Sequence, residues 1–383
     1  MFSRLYLHIP WCVSKCNYCA FFSRPIPTEA DLEETVQLLQ TEMELSAKQF
    51  TVSKPLDSIY FGGGTPSLLT PAQVGRLLSH SKSLWEHSAD MEITLEANPG
   101  TVSSDKLAGY LDAGVNRLSL GVQSFDDYQL SVLGRQHRSQ QAEQAVLWAR
   151  DAGFDAVGID LICGLPDQTL ADWQQQLSRA VEADVDHISV YCLSIEPGTP
   201  FASIYGDKAR CNCFPDDDLA ALMLEKTDTF LRMAGYEHYE LSNFARAGKR
   251  SRHNCGYWQR DGYLGLGPSA HSFLTGEEAT RFCNPLDYGQ WAGTIKSGST
   301  AFMDKQQLSV LDARAETIFL GLRLADGLCL DGFEQAFGER LEHIWSEALQ
   351  KLQQADLLQI RDRRLKLTSA GMLLSNQVFV EFI

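Results

Sequence analysis

Three cysteines lie close together near the start of the chain, in the segment Cys12-Val-Ser-Lys-Cys16-Asn-Tyr-Cys19. A tight loop can bring thiolates at this spacing to one point, where they can bind one face of a cubane iron–sulfur cluster. Four cysteines would saturate such a cluster, whereas three leave one iron open. A catalytic or ligand-exchanging cluster needs an open iron. The spacing therefore predicts a [4Fe-4S] cluster of that kind.

Other roles for the cysteines are open at this point. A structural zinc site prefers four protein ligands, and the loop contains no obvious fourth, although Cys211 and Cys213 could supply extra ones. The three clustered cysteines could also be core residues. The more isolated cysteines are typical of small buried hydrophobic residues; they are Cys163, Cys192, Cys283 and Cys329.

Composition restricts the classes of function and the compartment. The formal net charge is −16, and no basic stripe is present, which makes a nucleic-acid partner improbable. No apolar run approaches the roughly 18–20 residues that cross a bilayer, so we expect no membrane span. The first residues do not have the pattern of a signal peptide. We therefore expect a cytoplasmic protein, in which clustered cysteines are metal ligands rather than disulfides.

The elements that must position the cysteines alternate between strand and helix through the first two thirds of the chain. Amphipathic stretches separate the strands, and Thr70, Pro71 and Gln73 have the pattern of a capping box. Such alternation predicts parallel βα units. Six units suit a partial (β/α)6 barrel, in which loops at the carboxyl ends of the strands build the active site. The predicted strands are 5–9, 58–61, 92–96, 117–121, 156–162 and 187–193.

The pattern changes at about residue 236. Residues 243–290 contain no long periodic element, and two helices and a hairpin at 357–367 follow them. We therefore predict a barrel domain over 1–235 and a smaller α+β domain with a winged-helix-like tail over 236–383. A winged helix could bind nucleic acid, but the acidic charge favours packing against the barrel.

Motifs along nearly the whole chain resemble one family. The CxxxCxxC motif after a first strand is similar to the radical-SAM superfamily. Its context resembles the branch related to oxygen-independent coproporphyrinogen oxidase and, within that branch, the haem chaperones. The motifs are YLHIPWCVSKCNYCAF, FGGGTPS at 61–67, LEANPG at 95–100, RLSLGVQSF at 117–125, LGRQH at 133–137, GIDLICGLPDQT at 158–169, HNCGYW at 253–258 and LGLGPSAHSF at 264–273.

The resemblance implies that S-adenosylmethionine (SAM) binds the open iron and that one electron from the cluster can cleave it. Glycines after the second strand let backbone groups approach this cofactor. Carboxylates at strand ends can accept hydrogen bonds from ribose hydroxyls, and an arginine can bind the methionine carboxylate. The implied SAM contacts are Tyr6, Tyr18, Gly63, Gly64, Thr65, Glu96, Gln123, Arg135 and Asp160.

The resemblance also implies haem as a ligand, haem-accepting apoproteins as partners and a one-electron donor. The segment containing His253, Tyr257 and Trp258 is then the expected haem-binding region, with an imidazole for iron and flat rings for the macrocycle. Cys255 could supply a thiolate instead, and His271 is a second candidate ligand. The alternative is that this loop only packs the tail onto the barrel.

Two departures separate the chain from the oxidase that removes hydrogen from porphyrinogen propionates. The oxidase has a further cysteine two positions after the third, where this chain has Phe21, and only eleven residues precede Cys12. We therefore expect a haem chaperone, with a radical-SAM enzyme that oxidises a porphyrinogen as the alternative. The sequence leaves open whether SAM is cleaved productively and, with that, whether the protein is an enzyme.

Overall fold

The computed structural model describes residues 1–25, 28–206, 213–276 and 279–383. Its strands are β1 (Arg4–Ile9), β2 (Trp11–Cys12), β3 (Arg24–Pro25), β4 (Leu56–Gly63), β5 (His87–Ala97), β6 (Arg117–Gln123), β7 (Ala156–Cys163), β8 (His187–Cys192), β9 (Glu237–Glu240), β10 (Asn243–Ala245), β11 (Tyr263–Leu266), β12 (His271–Leu274), β13 (Thr280–Cys283), β14 (Met303–Gln307), β15 (Leu328–Cys329), β16 (Leu358–Arg361) and β17 (Arg364–Leu367).

The helices of the described residues are α1 (Glu29–Gln49), α2 (Pro71–Leu84), α3 (Ser104–Asp112), α4 (Asp127–Val132), α5 (Ser139–Ala152), α6 (Leu170–Glu182), α7 (Pro200–Tyr205), α8 (Asp217–Met233), α9 (Arg252–Trp258), α10 (Tyr288–Lys296), α11 (Val310–Gly321), α12 (Leu330–Phe337), α13 (Leu341–Ile344), α14 (Ser346–Gln354), α15 (Ser369–Leu373) and α16 (Ser375–Val380). Short 3₁₀ turns span Pro66–Leu68 and Pro99–Thr101.

Six parallel strands form the centre of the molecule, in the order β1-β4-β5-β6-β7-β8. Strand β7 is buried at seven of its eight positions, as expected for a parallel strand covered on both faces. Because each strand is followed by a helical crossover, all six carboxyl ends meet at one rim. The predicted partial (β/α)6 barrel is confirmed.

Local sequence accounts for the helix starts. The Thr70 side chain accepts a hydrogen bond from the backbone N–H of Gln73, and the Gln73 side chain accepts one from the backbone N–H of Thr70. Pro71 occupies the first helical position, where its missing N–H costs nothing. This capping box confirms the predicted start of α2.

The sheet continues beyond the six predicted strands at both edges. Strand β11 pairs in parallel with β1, and β12, β13 and β14 follow it in antiparallel order. At the other edge, β10 and β9 add to β8. Residues 237–307 therefore contribute strands to the same twelve-stranded sheet that carries the barrel.

A second, smaller core lies in the last part of the chain. Strands β15, β16 and β17 form a separate three-stranded sheet, and Ile318, Phe333 and Leu365 are among the buried residues packed around it. The tight turn between β16 and β17 has positive φ at Asp362 and Arg363, as in a two-residue hairpin. The predicted hairpin and the winged-helix-like α+β tail are confirmed.

No helix in the described part of the chain combines the length and the apolar composition that a membrane span requires.

Candidate functional site

The cysteine loop follows β1 and is fixed to the opposite side of the barrel rim. The backbone N–H of Asn17 donates to the Leu133 carbonyl at 3.0 Å, and its side-chain amide donates to the Val132 carbonyl at 2.9 Å. The Asn17 carbonyl in turn accepts from Phe201 N–H at 2.9 Å. These bonds tie the middle of the loop to the end of α4, and so set the position of the thiols on either side.

A cavity of about 590 Å³ opens at the carboxyl ends of the strands, under this loop. The three thiols and nearly all predicted SAM contacts line it, although they come from six different strands and loops. Its walls include Cys12, Cys16, Tyr18, Cys19, Gly63, Gly64, Thr65, Glu96, Gln123, Arg135 and Asp160. The structure does not bring Tyr6 to this cavity. Tyr6 stacks against Tyr60, with ring centroids 6.2 Å apart, and faces a second cavity.

Two of the thiols receive hydrogen bonds from the cavity wall. Thr65 Oγ1 donates to Cys12 Sγ at 3.5 Å, and Arg135 Nη1 donates to Cys16 Sγ at 3.5 Å. Burial raises the pKa of the Cys19 thiol. Within the described ranges, no group of three His, Cys, Asp or Glu side chains is arranged to hold a single metal ion. A zinc ion would need such a group, whereas an iron–sulfur cluster distributes its thiolates over different irons.

The glycine loop after β4 contributes Gly63 and Gly64 to the wall of the first cavity, which the three thiols also line. A Cβ on Gly64 would lie 2.6 Å from the Trp11 carbonyl oxygen and 3.0 Å from that of Ile9. Gly63 has φ of +112°, a conformation that residues with a Cβ rarely adopt. Glycine at both positions therefore lets the loop pack closely against the β1–β2 segment, and the same loop lines the first cavity, where the contact with SAM is predicted.

The carboxylates of Glu96 and Asp160 both line the first cavity. Tyr60 donates to Glu96 Oε1 at 2.7 Å, and Ser119 Oγ donates to Asp160 Oδ1 at 3.3 Å. Burial, together with the nearby Asp160 carboxylate, raises the pKa of Glu96 to about 7. Burial also raises the pKa of Asp160. Both side chains keep acceptor capacity toward the cavity, which suits ribose hydroxyls.

Gln123 and Arg135 also line the first cavity. Gln123 has φ of +67° without being glycine, a strained conformation that is frequent at functional sites. Arg135 Nη2 donates to the Gly121 carbonyl at 2.6 Å, whereas its buried Nε has no hydrogen-bond partner among the described residues. An unpartnered guanidinium N–H beside the thiols fits a carboxylate ligand.

Helix α9 carries the predicted haem-binding segment, and its histidine is enclosed. His253 is fully buried; its Nδ1 is 2.8 Å from Ser58 Oγ and its Nε2 is 2.7 Å from the Tyr257 hydroxyl. Both ring nitrogens are thus engaged, and His253 lines neither cavity. Burial raises the pKa of the Cys255 thiol to about 11, so that this sulfur is protonated at neutral pH.

A second cavity, of about 870 Å³, lies on the other side of the cysteine loop. The predicted residues Tyr6, Tyr257 and Trp258 line it, together with His271. The two cavities share part of their walls, because one stretch of the cysteine loop borders both. The shared residues are Lys15, Ala20, Phe21 and Ser23.

Comparisons with known proteins show the family of the chain. A model of the radical SAM superfamily matches residues 6–179, and a model of the HemN C-terminal domain matches residues 308–374. Heme chaperone HemW of Bacillus subtilis is 34% identical over 379 residues, covering 99% of this chain and 98% of the relative. Heme chaperone HemW of Haemophilus influenzae is 41% identical, covering 73% of this chain and 72% of the relative. The chain belongs to the HemW family of radical SAM proteins.

A solved structure supports the fold of this HemW-family chain. Coproporphyrinogen III oxidase (HemN) from Escherichia coli, a radical SAM enzyme, matches with a TM-score of 0.86 over 100% of this chain and 90% of its own. The sequence identity is 24%, so the match shows the shared architecture alone.

Two residues that position the carboxylates of the first cavity were not predicted from the sequence. Tyr60, which positions Glu96, and Ser119, which positions Asp160, lie on strands and point toward the barrel interior. Tyr60 is paired in register with Tyr6 on β1, so it occupies an equivalent inward position. The period-2 alternation of a strand starting from a known site residue is the signal that could have found them.

The expectation that the four isolated cysteines are buried holds for one of them in this HemW-family chain. Cys163 is buried as predicted, but Cys192 is exposed and lines the first cavity, because it ends β8 at the open rim of the barrel. Cys283 and Cys329 are half-buried. Cys211 lies outside the described residues, and Cys213 packs against a small apolar cluster around Phe201.

Proposed function

We propose that Cys12, Cys16 and Cys19 hold a [4Fe-4S] cluster and that SAM binds beside it in the first cavity. The observation that carries this proposal is that the three thiols line the same cavity as the polar residues implied for SAM. When bound, this pair of cofactors supplies one-electron cleavage of a sulfonium bond, with the electron taken from a separate donor protein.

The chain's own residues would bind and orient these groups. Arg135, whose buried Nε lacks a partner among the described residues, would receive the methionine carboxylate. Glu96 and Asp160 would accept hydrogen bonds from the nucleoside, and the backbone at Gly64 would approach the methionine part. Tyr18 and Thr65 would contribute to the wall around the cluster.

We further propose that the protein is a haem chaperone, which binds haem and passes it to acceptor apoproteins. The names of the HemW relatives suggest this role. The second cavity supports it, because aromatic rings line it on several sides. In the segment 253–258, Tyr257 and Trp258 would contact the macrocycle, and His253 would orient Tyr257 through their 2.7 Å hydrogen bond. The free thiols of the cysteine loop fit a reducing cytoplasm.

A haem titration of the anaerobically purified, cluster-loaded protein tests the chaperone proposal. We expect a shifted Soret band that saturates at one haem per chain, followed by haem loss to an added apoprotein. Absence of any Soret shift at stoichiometric haem would contradict the proposal. Sustained consumption of coproporphyrinogen with release of methionine would assign the chain to the oxidase alternative instead.

A further inference from the structure

The second cavity contains a histidine that the rest of the fold leaves unused. His271 begins β12, is exposed, and lines this cavity; none of the hydrogen bonds or ion pairs found for the described residues involves its ring. His8, which also lines the cavity, has Nδ1 3.2 Å from the Tyr6 hydroxyl and Nε2 3.1 Å from the Phe22 carbonyl. His271 is therefore the lining histidine whose ring nitrogens are open to an external ligand.

The sheet places an aromatic ring and a cation on the same face as this imidazole. In the β12–β13 register, His271 lies opposite Cys283, and Phe273 lies opposite Arg281. Alternate residues of a strand share a face, so His271, Phe273 and Arg281 point together toward the cavity. His271 and Arg281 are diagonal neighbours, about 7–8 Å apart at their backbones. An iron ligand and an anion-binding group thus stand at two ends of one apolar surface.

Two arginines give the cavity its positive charge. Arg260 and Arg281 both lie over the Phe273 ring, at 4.8 and 4.7 Å from its centroid. They share one carboxylate, Glu316, which accepts from the Nε atoms of Arg260 and Arg281 at 3.0 and 2.7 Å. Two guanidinium groups against one carboxylate leave a net charge of +1.

One donor of this pair is held without a partner. Arg260 Nη2 is buried and makes no hydrogen bond within the described residues, and Trp258 Nε1 is in the same state. Both residues line the second cavity. Buried N–H groups without acceptors are costly, and a bound anion would satisfy them.

The cavity has the size and lining of a cofactor site. Its volume of about 870 Å³ lies within the range of roughly 300–1,000 Å³ that is usual for small-molecule pockets. Tyr257, Trp258 and Leu286 add apolar surface around the two arginines. Aromatic walls, two cations and an open imidazole match a flat, apolar, iron-containing dianion.

We propose that haem binds in this second cavity, where His271 would supply an imidazole ligand to the iron and Arg260 and Arg281 would bind the propionates. The inference rests on the proposed haem chaperone function and adds the location and the ligand. His253, whose two nitrogens are engaged and whose ring lines neither cavity, is a positioning residue for Tyr257. Phe21 and Phe22 of the cysteine loop line the same cavity and would contact the bound haem.

The first test replaces the proposed ligand. Haem binding to His271→Ala should weaken at least tenfold, and the spectrum should lose the signature of a histidine-bound iron. Added imidazole should restore that signature, because it can enter the space left by the side chain. His343→Ala is the matched control: His343 is exposed in α13 of the second core and should bind haem as the unmodified chain does.

The second test concerns the propionates. Haem dimethyl ester lacks the two negative charges, so the unmodified chain should bind it at least tenfold more weakly than haem. In Arg281→Gln, the ratio of the affinity for haem to the affinity for the dimethyl ester should fall severalfold. The spectrum should still show a histidine-bound iron.

The outcomes separate this inference from the chaperone proposal. If the unmodified chain binds no haem, the chaperone proposal fails. If it binds haem and His271→Ala shows the same affinity and the same iron signature, the ligand assignment is overturned. Loss of the signature in His253→Ala, with His271→Ala unchanged, would assign the iron to α9 instead. Circular dichroism of each variant distinguishes loss of the ligand from loss of the fold.

Discussion

At the scale of single residues, the position of the glycine loop after β4 depends on Gly64 having no side chain. A Cβ on Gly64 would meet two backbone carbonyl oxygens of the β1–β2 segment, and these cannot move without shifting the cysteine loop. The sequence motif predicted that backbone would approach a ligand here. It could not predict that the backbone carbonyls of Ile9 and Trp11 exclude a side chain at position 64, because this contact depends on how β1 and β4 pair.

Replacing Gly64 by alanine should therefore impair the site. The new methyl group would lie 2.6 Å from the Trp11 oxygen, so the loop must shift, and SAM affinity should fall at least tenfold in the cluster-loaded protein. Gly293→Ala is a suitable control, because its Cβ would meet nothing within 4 Å on helix α10. Anaerobic calorimetric titration with SAM checks both variants; equal affinities would contradict the expected crowding.

The cluster ligands give a second prediction at this scale. Cys12→Ala, Cys16→Ala and Cys19→Ala should each lose most of the iron and acid-labile sulfide, and with them the broad visible absorbance of the cluster. A cubane held by three thiolates has no protein ligand to spare. Cys329→Ala should retain full iron, since Cys329 caps α12 in the second core. Full iron and sulfide in any of the first three variants would show that the ligand assignment is wrong.

At the scale of elements, the alternation of strands and helices was sufficient to predict the six central strands and their parallel order. It could not predict β9 to β14, because these strands have three to five residues each and, apart from the β11–β1 pair, join their neighbours in antiparallel order instead of through regular parallel βα units. Their partners are decided by contacts distant in sequence. One such contact is made by Gly262, where an added Cβ would overlap the Met1 carbonyl oxygen beside β1.

A buried carboxyl joins helix α1 to these added elements. Glu42 accepts hydrogen bonds from Gly267 N–H at 2.8 Å, Asn284 Nδ2 at 2.6 Å and Trp291 Nε1 at 3.1 Å, and it is fully buried. Burial raises the pKa of Glu42 from 4.5 to about 7, although the three donors oppose the shift. The sequence gives no sign of this network, since Glu42 belongs to an ordinary amphipathic helix.

This raised pKa predicts a pH dependence of stability. The unfolded chain ionises Glu42 near pH 4.5, whereas the folded chain keeps the proton up to about pH 7. The free energy of unfolding should therefore decrease as pH rises through this window, by up to about 3 kcal/mol from this group. Glu42→Gln should remove this part of the slope in urea unfolding at pH 5 and pH 8. Glu29→Gln, exposed on the same helix, should keep it; identical slopes in all three proteins would contradict the assignment.

At the scale of the whole molecule, the described residues form two main hydrophobic cores. The large core surrounds the sheet that carries both cavities, and the small core forms a separate α+β unit. The two meet where Arg323 lies over the Trp258 ring at 4.2 Å, behind the second cavity. The change in residue pattern predicted a separate tail, but the Trp258–Arg323 contact could only come from the structure.

Weakening the small core should leave the cluster site intact. Phe333 is buried in the second core, and Phe333→Ala should lower the stability of that unit by about 3–5 kcal/mol. Iron content should remain unchanged, because the cysteine loop belongs to the large core. Val380→Ala, at an exposed position of the same unit, should have little effect. Thermal unfolding with iron analysis checks this, and loss of iron in Phe333→Ala would show that the two cores are not independent.

One stretch of the cysteine loop borders both cavities, which gives a structural route by which the binding of SAM and the binding of haem could be coupled. If SAM changes the dissociation constant of haem by some factor, haem must change that of SAM by the same factor, whatever the structural route. Titrating each ligand in the presence and absence of the other measures this reciprocity. A factor different from one would mean that SAM binding regulates the affinity for haem. A factor of one would mean that the affinity for haem does not depend on SAM.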